Sequence, residues 1–302
     1  ACHVCVVLGR RLNPCGRMRH AGDALRLLTD APESEVDDIA KMLSHVNDER
    51  RATERTIQTK AQRMVDDCQF ADPDRRAIVL AGEDWHPGVL GIVASRMVES
   101  YARPVIMLNV DNGHAHGSAR SVEGVSILDA LHACSNHLTQ YGGHAMAAGL
   151  QLPSASIDAF REDLIAHINA QLAEDDLVHT LDLDGECDMA DVDIPLWKQI
   201  ESLAPFGRSN PAPVLCMRNV RTCEPGRRIG GEGRHLRLVL RSNDERAASR
   251  RPVQCVGFNM GDLADALPAG VPMDVAFEPK INHWRGTQRA ELHIKDVRLR
   301  RG

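Results

Sequence analysis

Apolar residues in the segment 31–72 recur every three or four positions. The apolar face that they form consists of Val36, Ile39, Leu43 and Val46. This spacing predicts an α-helix, which we expect to open with a capping box between Asp30 and Glu33 and to end near Asp67. The middle of the segment, residues 47–55, is nearly all polar. A long helix with a polar middle is typical of a connector that crosses solvent between domains.

Residues 73–178 alternate between strand and helix patterns. Buried strands are predicted at 77–81 and 105–110, and helices at 88–101, 126–138 and 154–172. A polar, glycine-containing segment follows the second strand at 116–121. This alternation predicts an α/β domain.

Residues 179–302 consist mainly of short β-type segments separated by Gly, Pro and Asn turns. The predicted strands are 181–187, 214–220, 235–240, 253–258, 273–278 and 290–297, with short helices at 196–203 and 261–267. That many short strands in one part of the chain predict a small barrel.

The composition is that of a globular protein, with 43% hydrophobic and 26% charged residues among 302. No apolar run approaches the roughly 18–20 residues that span a bilayer, and no secretory signal precedes the first strand, so we predict no membrane role. Nine cysteines are scattered along the chain, which favours a reducing, cytoplasmic compartment over a disulfide scaffold. Because the chain begins with Ala1 and not with Met, we expect it to be a fragment.

Charge is distributed unevenly about a net value of −6. The segment 208–251 contains eleven arginines and four acidic residues. An Arg-rich block in an acidic protein indicates a local anion-binding surface. The alternative is a solvated basic face.

The chain contains no P-loop, no HExxH pattern and no Ser–His–Asp signature. Three glycine-rich stretches carry the candidate chemistry instead, and the first is 84–96. It joins a strand to a helix N-terminus, where free N–H groups favour an anion. Gly88 and Gly91 would let this helix pack closely on a sheet. The alternative is a structural corner in which Trp85 and His86 are packed and hydrogen-bonded.

The second stretch, 113–121, places small residues around Ser118 and Arg120. An arginine fork and a hydroxyl are suited to phosphate oxygens. The alternative is a strand with an exposed arginine. By spacing alone, His114 and His116 could also be metal ligands.

The third stretch, 142–149, begins with Gly142 and Gly143, which predict a turn with unusual backbone geometry. His144 follows and can donate a hydrogen bond to a phosphate. The alternative is a structural histidine.

Together these stretches resemble the DHH/DHHA1 phosphoesterase superfamily and, more closely, the RecJ single-stranded-DNA exonucleases. Gly-Gly-His-Ala-Met-Ala-Ala-Gly at 142–149 is similar to the hallmark of the DHHA1 domain, and Gly-Ser-Ala-Arg-Ser at 117–121 to the family's phosphate-contacting element. Further resembling segments, in the same order as in the family, are 11–18, 85–96, 204–211, 258–260 and 282–286. The family's Asp-His-His metal motif does not occur in the chain.

The resemblance implies an α/β DHHA1 domain plus an all-β OB-fold barrel, joined to a long N-terminal connector helix. The implied domains are the end of the catalytic DHH domain at 1–30, the connector helix at 31–72, the DHHA1 domain at 73–178 and the OB-fold nucleic-acid-binding domain at 179–302.

The resemblance also implies the function: the C-terminal part of a 5′→3′ single-stranded-DNA exonuclease, a metal-dependent hydrolase used in DNA repair and recombination. The implied 5′-phosphate pocket consists of Arg11, Arg17, Ser118, Arg120, Gly142, Gly143 and His144. In the barrel, the candidate contacts to single-stranded DNA are Arg227, Arg228, Arg234, Arg237 and Trp284. The alternative for Trp284 is a core residue that closes the barrel.

The family's Mn²⁺ or Mg²⁺ ligands would lie outside this chain. We therefore expect neither catalytic residues nor metal ligands here, and no nuclease activity from this chain alone. The implied partner is single-stranded DNA, and single-strand-binding protein and a helicase are candidate protein partners.

Two other functions stay open. The first is a non-catalytic nucleic-acid-binding scaffold of the same family; an intact Asp-His-His motif upstream of Ala1 would exclude it. The second is a small-substrate phosphoesterase of the superfamily. Such enzymes generally lack the barrel, so residues 179–302 argue against it.

Overall fold

The computed structural model describes residues 9–173, 176–178, 180–207, 209–243, 251–284 and 286–300, apart from the side chains of Arg10 and Trp284. The chain divides into two units, Ala1–Thr180 and Leu181–Gly302. Across the described ranges, no helix is both long and apolar enough to cross a membrane.

The first described elements of the first unit are three helices: α1 (Arg10–Met18), α2 (Gly22–Thr29) and α3 (Glu33–Asp67). The predicted long helix is confirmed, and it buries Ile39, Leu43 and Val46 of the predicted face. The predicted capping box is wrong. The Asp30 N–H binds the Arg26 carbonyl and ends α2, so α3 begins only at Glu33, after an extended Pro32 that gives no side-chain cap.

The polar middle of α3 is not entirely a solvated surface. Glu54 is only 1% exposed, and its carboxylate forms ion pairs with Arg50 on the same helix and with Arg96. A carboxylate this buried requires charge partners, because isolated burial of a charge is costly. These pairs fix the long helix to the helix that carries Arg96.

Where the structure describes it, the rest of the first unit contains five strands and three α-helices. They are β1 (Ile78–Glu83), α4 (Pro87–Tyr101), β2 (Val105–Asp111), β3 (His114–Arg120), α5 (Ile127–Ala133), β4 (Gln140–His144), β5 (Ala147–Pro153) and α6 (Ile157–Asn169). The strand order is β1-β2-β3-β5-β4. Strands β1 and β2 are parallel and the other pairs are antiparallel. The helix predicted at 126–138 is shorter, since α5 ends at Ala133 and a 3₁₀ turn follows.

The two faces of this sheet are covered differently. On one face, α5 and α6 pack on a core that includes Ala119, Leu150 and Phe160. On the other face, α4 and the end of α3 cover β1 and β2, with Leu80 and Met107 in their core. Strands β5 and β4 extend the sheet beyond that core.

The second unit is a five-stranded barrel with additions. Its elements are β6 (Gly185–Glu186), α7 (Ile194–Glu201), β7 (Leu215–Thr222), β8 (Arg227–Ile229), β9 (His235–Ser242), β10 (Val253–Gly257), β11 (Pro272–Trp284) and β12 (Thr287–Leu299). The order β7-β11-β12-β10-β9 closes through a further β7–β9 pairing. The core includes Trp197, Leu238 and Phe277. The strand predicted at 181–187 shrinks to β6, whereas β11 and β12 are longer than predicted.

Candidate functional site

The residues predicted to contact phosphate meet on one face of the first sheet. Arg120 on β3 lies opposite Ala147 on β5, and Ala147 lies opposite His144 on β4. Residues directly opposite one another in a sheet share a face, so Arg120 and His144 point to the same side. Two strand spacings place their backbones about 10 Å apart.

Two residues further along each strand, a second row of residues lies on the same face of the sheet. Ser118 lies opposite Gly149, and Gly149 lies opposite Gly142. Both glycines are exposed, and a Cβ at Gly142 would meet no atom within 4 Å. The surface beside Ser118 is therefore bare backbone that a ligand can approach.

Arg120 is a partly buried cation. Its Nη1 donates to Ser118 Oγ and to the Ala119 carbonyl, both at 2.8 Å. Throughout the described residues, no carboxylate forms an ion pair with it. Burial lowers the pKa of Arg120, and the nearby positive charge of Arg17 lowers that pKa further. Two close guanidinium groups without an acidic partner favour a bound anion.

Arg17 comes to this place through the packing of α1 on α4. A Cβ at Gly88 would lie 2.0 Å from the Arg17 carbonyl oxygen, so the two helices touch only because residue 88 is glycine. The prediction that Gly88 packs on the sheet is therefore wrong, because Gly88 packs on α1 instead. Arg11 is exposed on α1, six residues before Arg17 and thus about 120° away around the helix.

Gly91 behaves as predicted and brings α4 close to the sheet. Its Cβ would lie 2.5 Å from Arg120 Nη2 and 3.1 Å from Ser118 Oγ. The corner before α4 is packed and hydrogen-bonded, which is the structural alternative given above for Trp85 and His86. Trp85 is buried, and the His86 ring accepts a hydrogen bond from the Gly88 N–H at 3.1 Å and caps α4.

The Gly-Gly pair does not form the predicted turn. Gly142 and Gly143 lie within β4, and the hairpin turn is at Ala145 and Met146. Gly143 has a φ of +152°, and a Cβ there would lie 2.4 Å from the Ala147 carbonyl oxygen. Glycine is therefore required where β4 runs close to β5. His144 is exposed, and its side chain forms no hydrogen bond within the described part of the chain.

A groove of about 410 Å³ runs from Ser118 along the open face. Pro87 and Leu90 of α4 line one side. The polar side chains of His116, Gln140 and Gln151 line the rest, with glycines between them. The sequence analysis missed both glutamines, because only the pairing of β3, β5 and β4 brings them beside Ser118.

In the barrel, three of the four candidate arginines already have acidic partners. Arg227 pairs with Glu224 at 2.9 Å, Arg228 with Asp265 at 2.7 Å, and Arg234 with Glu232 at 2.9 Å. Arg237 has no carboxylate partner among the residues that the structure describes. The side chain of Trp284 lies outside the described residues. Arg237 is therefore the candidate best placed to bind an anion.

The barrel has the strand order of an OB-fold, in which β7, β9, β10, β11 and β12 are strands one to five. Strands three and five of that order, β10 and β12, are parallel, and the other pairs are antiparallel. In OB-folds, the face of strands two and three binds oligonucleotides. Here those strands are β9, which carries Arg237, and β10.

Each of the two units matches a known protein family. The family model of the DHHA1 domain matches residues 74–173, and that of the RecJ OB domain matches residues 183–296. The single-stranded-DNA-specific exonuclease RecJ of Bacillus subtilis is 33% identical over 292 residues, and that of Thermus thermophilus is 31% identical over 299 residues. These alignments cover 96% and 99% of this chain but 36% and 40% of the relatives. A crystal structure of Thermus thermophilus RecJ in complex with Mg²⁺ matches with a TM-score of 0.77 and 30% identity, over 99% of this chain and 44% of that one.

The two matches define a protein in which a DHHA1 domain is followed by an OB domain, and they confirm the predicted fold class. This domain pair, with its flanking segments, aligns along nearly the whole chain with RecJ. The chain therefore belongs to the RecJ family, and it spans half or less of the length of the curated relatives that it matches.

A divalent metal belongs to the family, since matching RecJ structures are complexes with Mg²⁺ or Mn²⁺. Over the described ranges of this chain, no group of three or more His, Cys, Asp or Glu side chains could hold a metal ion. His114 and His116, spaced like a ligand pair, gain no third ligand from the residues that the structure describes. The described residues thus do not supply the ligand set of that metal.

Proposed function

We propose that this chain provides the substrate-binding part of a RecJ-type 5′→3′ exonuclease. The first unit binds the 5′-terminal phosphate at an anion site formed by Arg17, Ser118, Arg120 and His144. The second unit binds the single strand on its barrel. The observation that carries the proposal is Arg120, a partly buried guanidinium that has no acidic partner in the described structure. It donates a hydrogen bond to Ser118, which lines an open groove rich in glycine.

The hydrogen-bonding capacity of the site suits a phosphate. An arginine has five N–H donors in a planar fork, and the bonds to Ser118 and Ala119 use only Nη1. Ser118 Oγ accepts from Arg120, so its own proton is available for a phosphate oxygen. His144 provides a further donor from the far strand.

The charge of the site favours a chain end over an internal position. A terminal phosphate monoester carries about −1.5 to −2 at neutral pH, whereas an internal diester carries a single negative charge. Arg17 and Arg120 together offer two positive charges. This difference would select the 5′ terminus and set the point from which cleavage proceeds.

The barrel contributes affinity for the strand through phosphate contacts and stacking, which are tolerant of sequence. Arg237 on β9 is its proposed phosphate contact. Binding by arginine makes the affinity fall steeply as salt rises. Single-strand-binding protein and a helicase remain candidate partners that would supply the DNA.

Hydrolysis itself belongs to the part of the enzyme that carries the metal. Divalent ions in such enzymes activate a water and stabilise the leaving oxygen. The residues named above bind and orient the strand and leave that chemistry to ligands outside this chain.

The proposal is tested by the affinity of the chain for three oligonucleotides of identical sequence. One carries a 5′-phosphate, one a 5′-hydroxyl, and one a 3′-phosphate with a 5′-hydroxyl, which matches the charge of the first. In fluorescence anisotropy at low salt, we expect the 5′-phosphorylated strand to bind about tenfold more tightly than the other two, the range of charge-assisted hydrogen bonds. Equal affinity for all three would refute the anion site.

The chain alone is expected to leave single-stranded DNA intact in the presence of Mn²⁺. A gel assay with a labelled strand measures this, and a full-length RecJ provides the positive control. Metal-dependent degradation by the purified chain would contradict the assignment of hydrolysis to residues outside it.

A further inference from the structure

Phe258 is an apolar ring that the barrel leaves in solvent. It is 53% exposed, whereas Trp197 and Phe277 in the same unit are 1% and 0% exposed. Of the phenylalanine, tyrosine and tryptophan side chains that the structure describes, only that of Phe258 is exposed. Exposing a phenylalanine gives up the free energy of its burial, so this position suggests a binding role.

Two histidines hold the ring from the strands on either side of β10. The His235 ring on β9 lies 5.3 Å from that of Phe258, with an interplanar angle of 69°. The His293 ring on β12 lies 5.1 Å away, with an angle of 76°. Such edge-to-face contacts are favourable for aromatic pairs, and they fix Phe258 without covering it.

The flanking rings are themselves held by hydrogen bonds. The Asn259 N–H donates to His235 Nδ1 at 3.1 Å, and His293 Nε2 lies 3.3 Å from Glu291 Oε2. Phe258, His235 and His293, which we call the aromatic platform, are therefore ordered before any ligand binds. Less side-chain freedom is then lost on binding.

A free cation lies beside the aromatic platform. Arg237 is two residues from His235 along β9, on the same face of the strand. It pairs across the sheet with Val256, which in turn pairs with His293. Among the residues described, Arg237 has no carboxylate partner, unlike Arg227, Arg228 and Arg234.

We infer that the aromatic platform stacks an unpaired base of single-stranded nucleic acid while Arg237 contacts an adjacent phosphate. This inference rests on the proposed function and names the residues by which the barrel binds the strand. A flat ring among polar neighbours suits a base, which needs only one face to stack. A peptide side chain would need an apolar pocket, and the neighbours of Phe258 named here are histidines and an arginine.

The test compares an oligothymidine with an abasic strand of the same length, both with a 5′-hydroxyl so that the anion site contributes equally to each. The whole chain is used, and circular dichroism checks the fold of every variant. For Phe258→Ala, we expect the affinity for oligothymidine to fall about tenfold, the range for loss of one stacked base. Affinity for the abasic strand should be unchanged. The matched control is Leu263→Ala, an exposed apolar residue of the same unit at 39% exposure, which should alter neither.

The conservative variant Phe258→Trp keeps an aromatic face, so it should retain the preference for oligothymidine. Its indole fluorescence should be quenched by that strand and not by the abasic one. The inference is overturned if Phe258→Ala binds both strands as the parent chain does. It is also overturned if this variant loses only the binding of an acidic peptide with an apolar end, which would make the surface a peptide site. If the parent chain binds neither strand, the proposed function of the barrel fails as well.

Discussion

Replacing Arg120 with alanine is expected to raise the dissociation constant for a 5′-phosphorylated strand by about 20- to 30-fold. The substitution removes the hydrogen bonds of a charged fork to the phosphate, which contribute roughly 1.5–3 kcal/mol. The affinity for the strand with a 5′-hydroxyl should fall only about two- to threefold, because for that strand the substitution removes just one distant positive charge from the protein. The preference for a 5′-phosphate should therefore nearly disappear, as measured by anisotropy with both strands.

Arg26→Ala is the matched control for this variant. It removes one positive charge from the same unit, where Arg26 pairs with Glu35 at 2.7 Å on an exposed surface. Its effect on both strands should be small and equal. If Arg120→Ala weakened the binding of both strands equally, Arg120 would be acting through net charge and not as a phosphate ligand.

Gly91→Ala is expected to abolish most of the 5′-phosphate preference without unfolding the protein. The new Cβ would stand 2.5 Å from Arg120 Nη2, so the guanidinium must leave its place beside Ser118. The obstructed atom is the end of a flexible side chain, and alanine is a better helix former than glycine. The melting temperature should therefore change by only a few degrees, while the preference falls about tenfold.

A double-mutant cycle separates this effect from a general disturbance of α4. In the Arg120→Ala background there is no guanidinium to displace, so Gly91→Ala should have no further effect on the 5′-phosphate preference. An additive loss in the double variant would show that Gly91 acts by another route. Ser95→Ala, one turn later on the same helix, should leave the preference intact.

The local chemistry of the anion site could be predicted, but its assembly could not. Ser118 and Arg120 stand out because small residues surround them, and His144 stands out because it follows two glycines. Their common face depends on the register of Arg120, Ala147 and His144 across three strands. Such non-local pairing leaves no signal in the spacing of residues along one strand.

Two local rules failed because tertiary structure overrode them. A glycine pair usually marks a turn, but Gly143 is needed for close strand contact and the turn falls at Ala145 and Met146. The capping-box pattern of Asp30 and Glu33 is intact in sequence, yet Asp30 ends the preceding helix instead.

The arginines of the barrel show what a charge count from the sequence cannot predict. A net positive segment indicates an anion surface, but Arg228 and Arg234 are engaged by acidic residues that the charge count alone cannot pair with them. Phe258 could have been found. In the strand predicted at 253–258, it alternates onto the same face as Gln254 and Val256, and a polar residue on that face indicates solvent.

The most direct test of the anion site is the NMR spectrum of the isotope-labelled chain during titration with thymidine 5′-monophosphate and, separately, with thymidine. The account predicts that the nucleotide shifts the Arg120 Nε–Hε signal and the backbone amide signals of Ser118 and His144 in a saturable manner, and that thymidine leaves them in place. It would be contradicted if the nucleotide shifted signals only elsewhere in the protein, or if thymidine produced the same shifts.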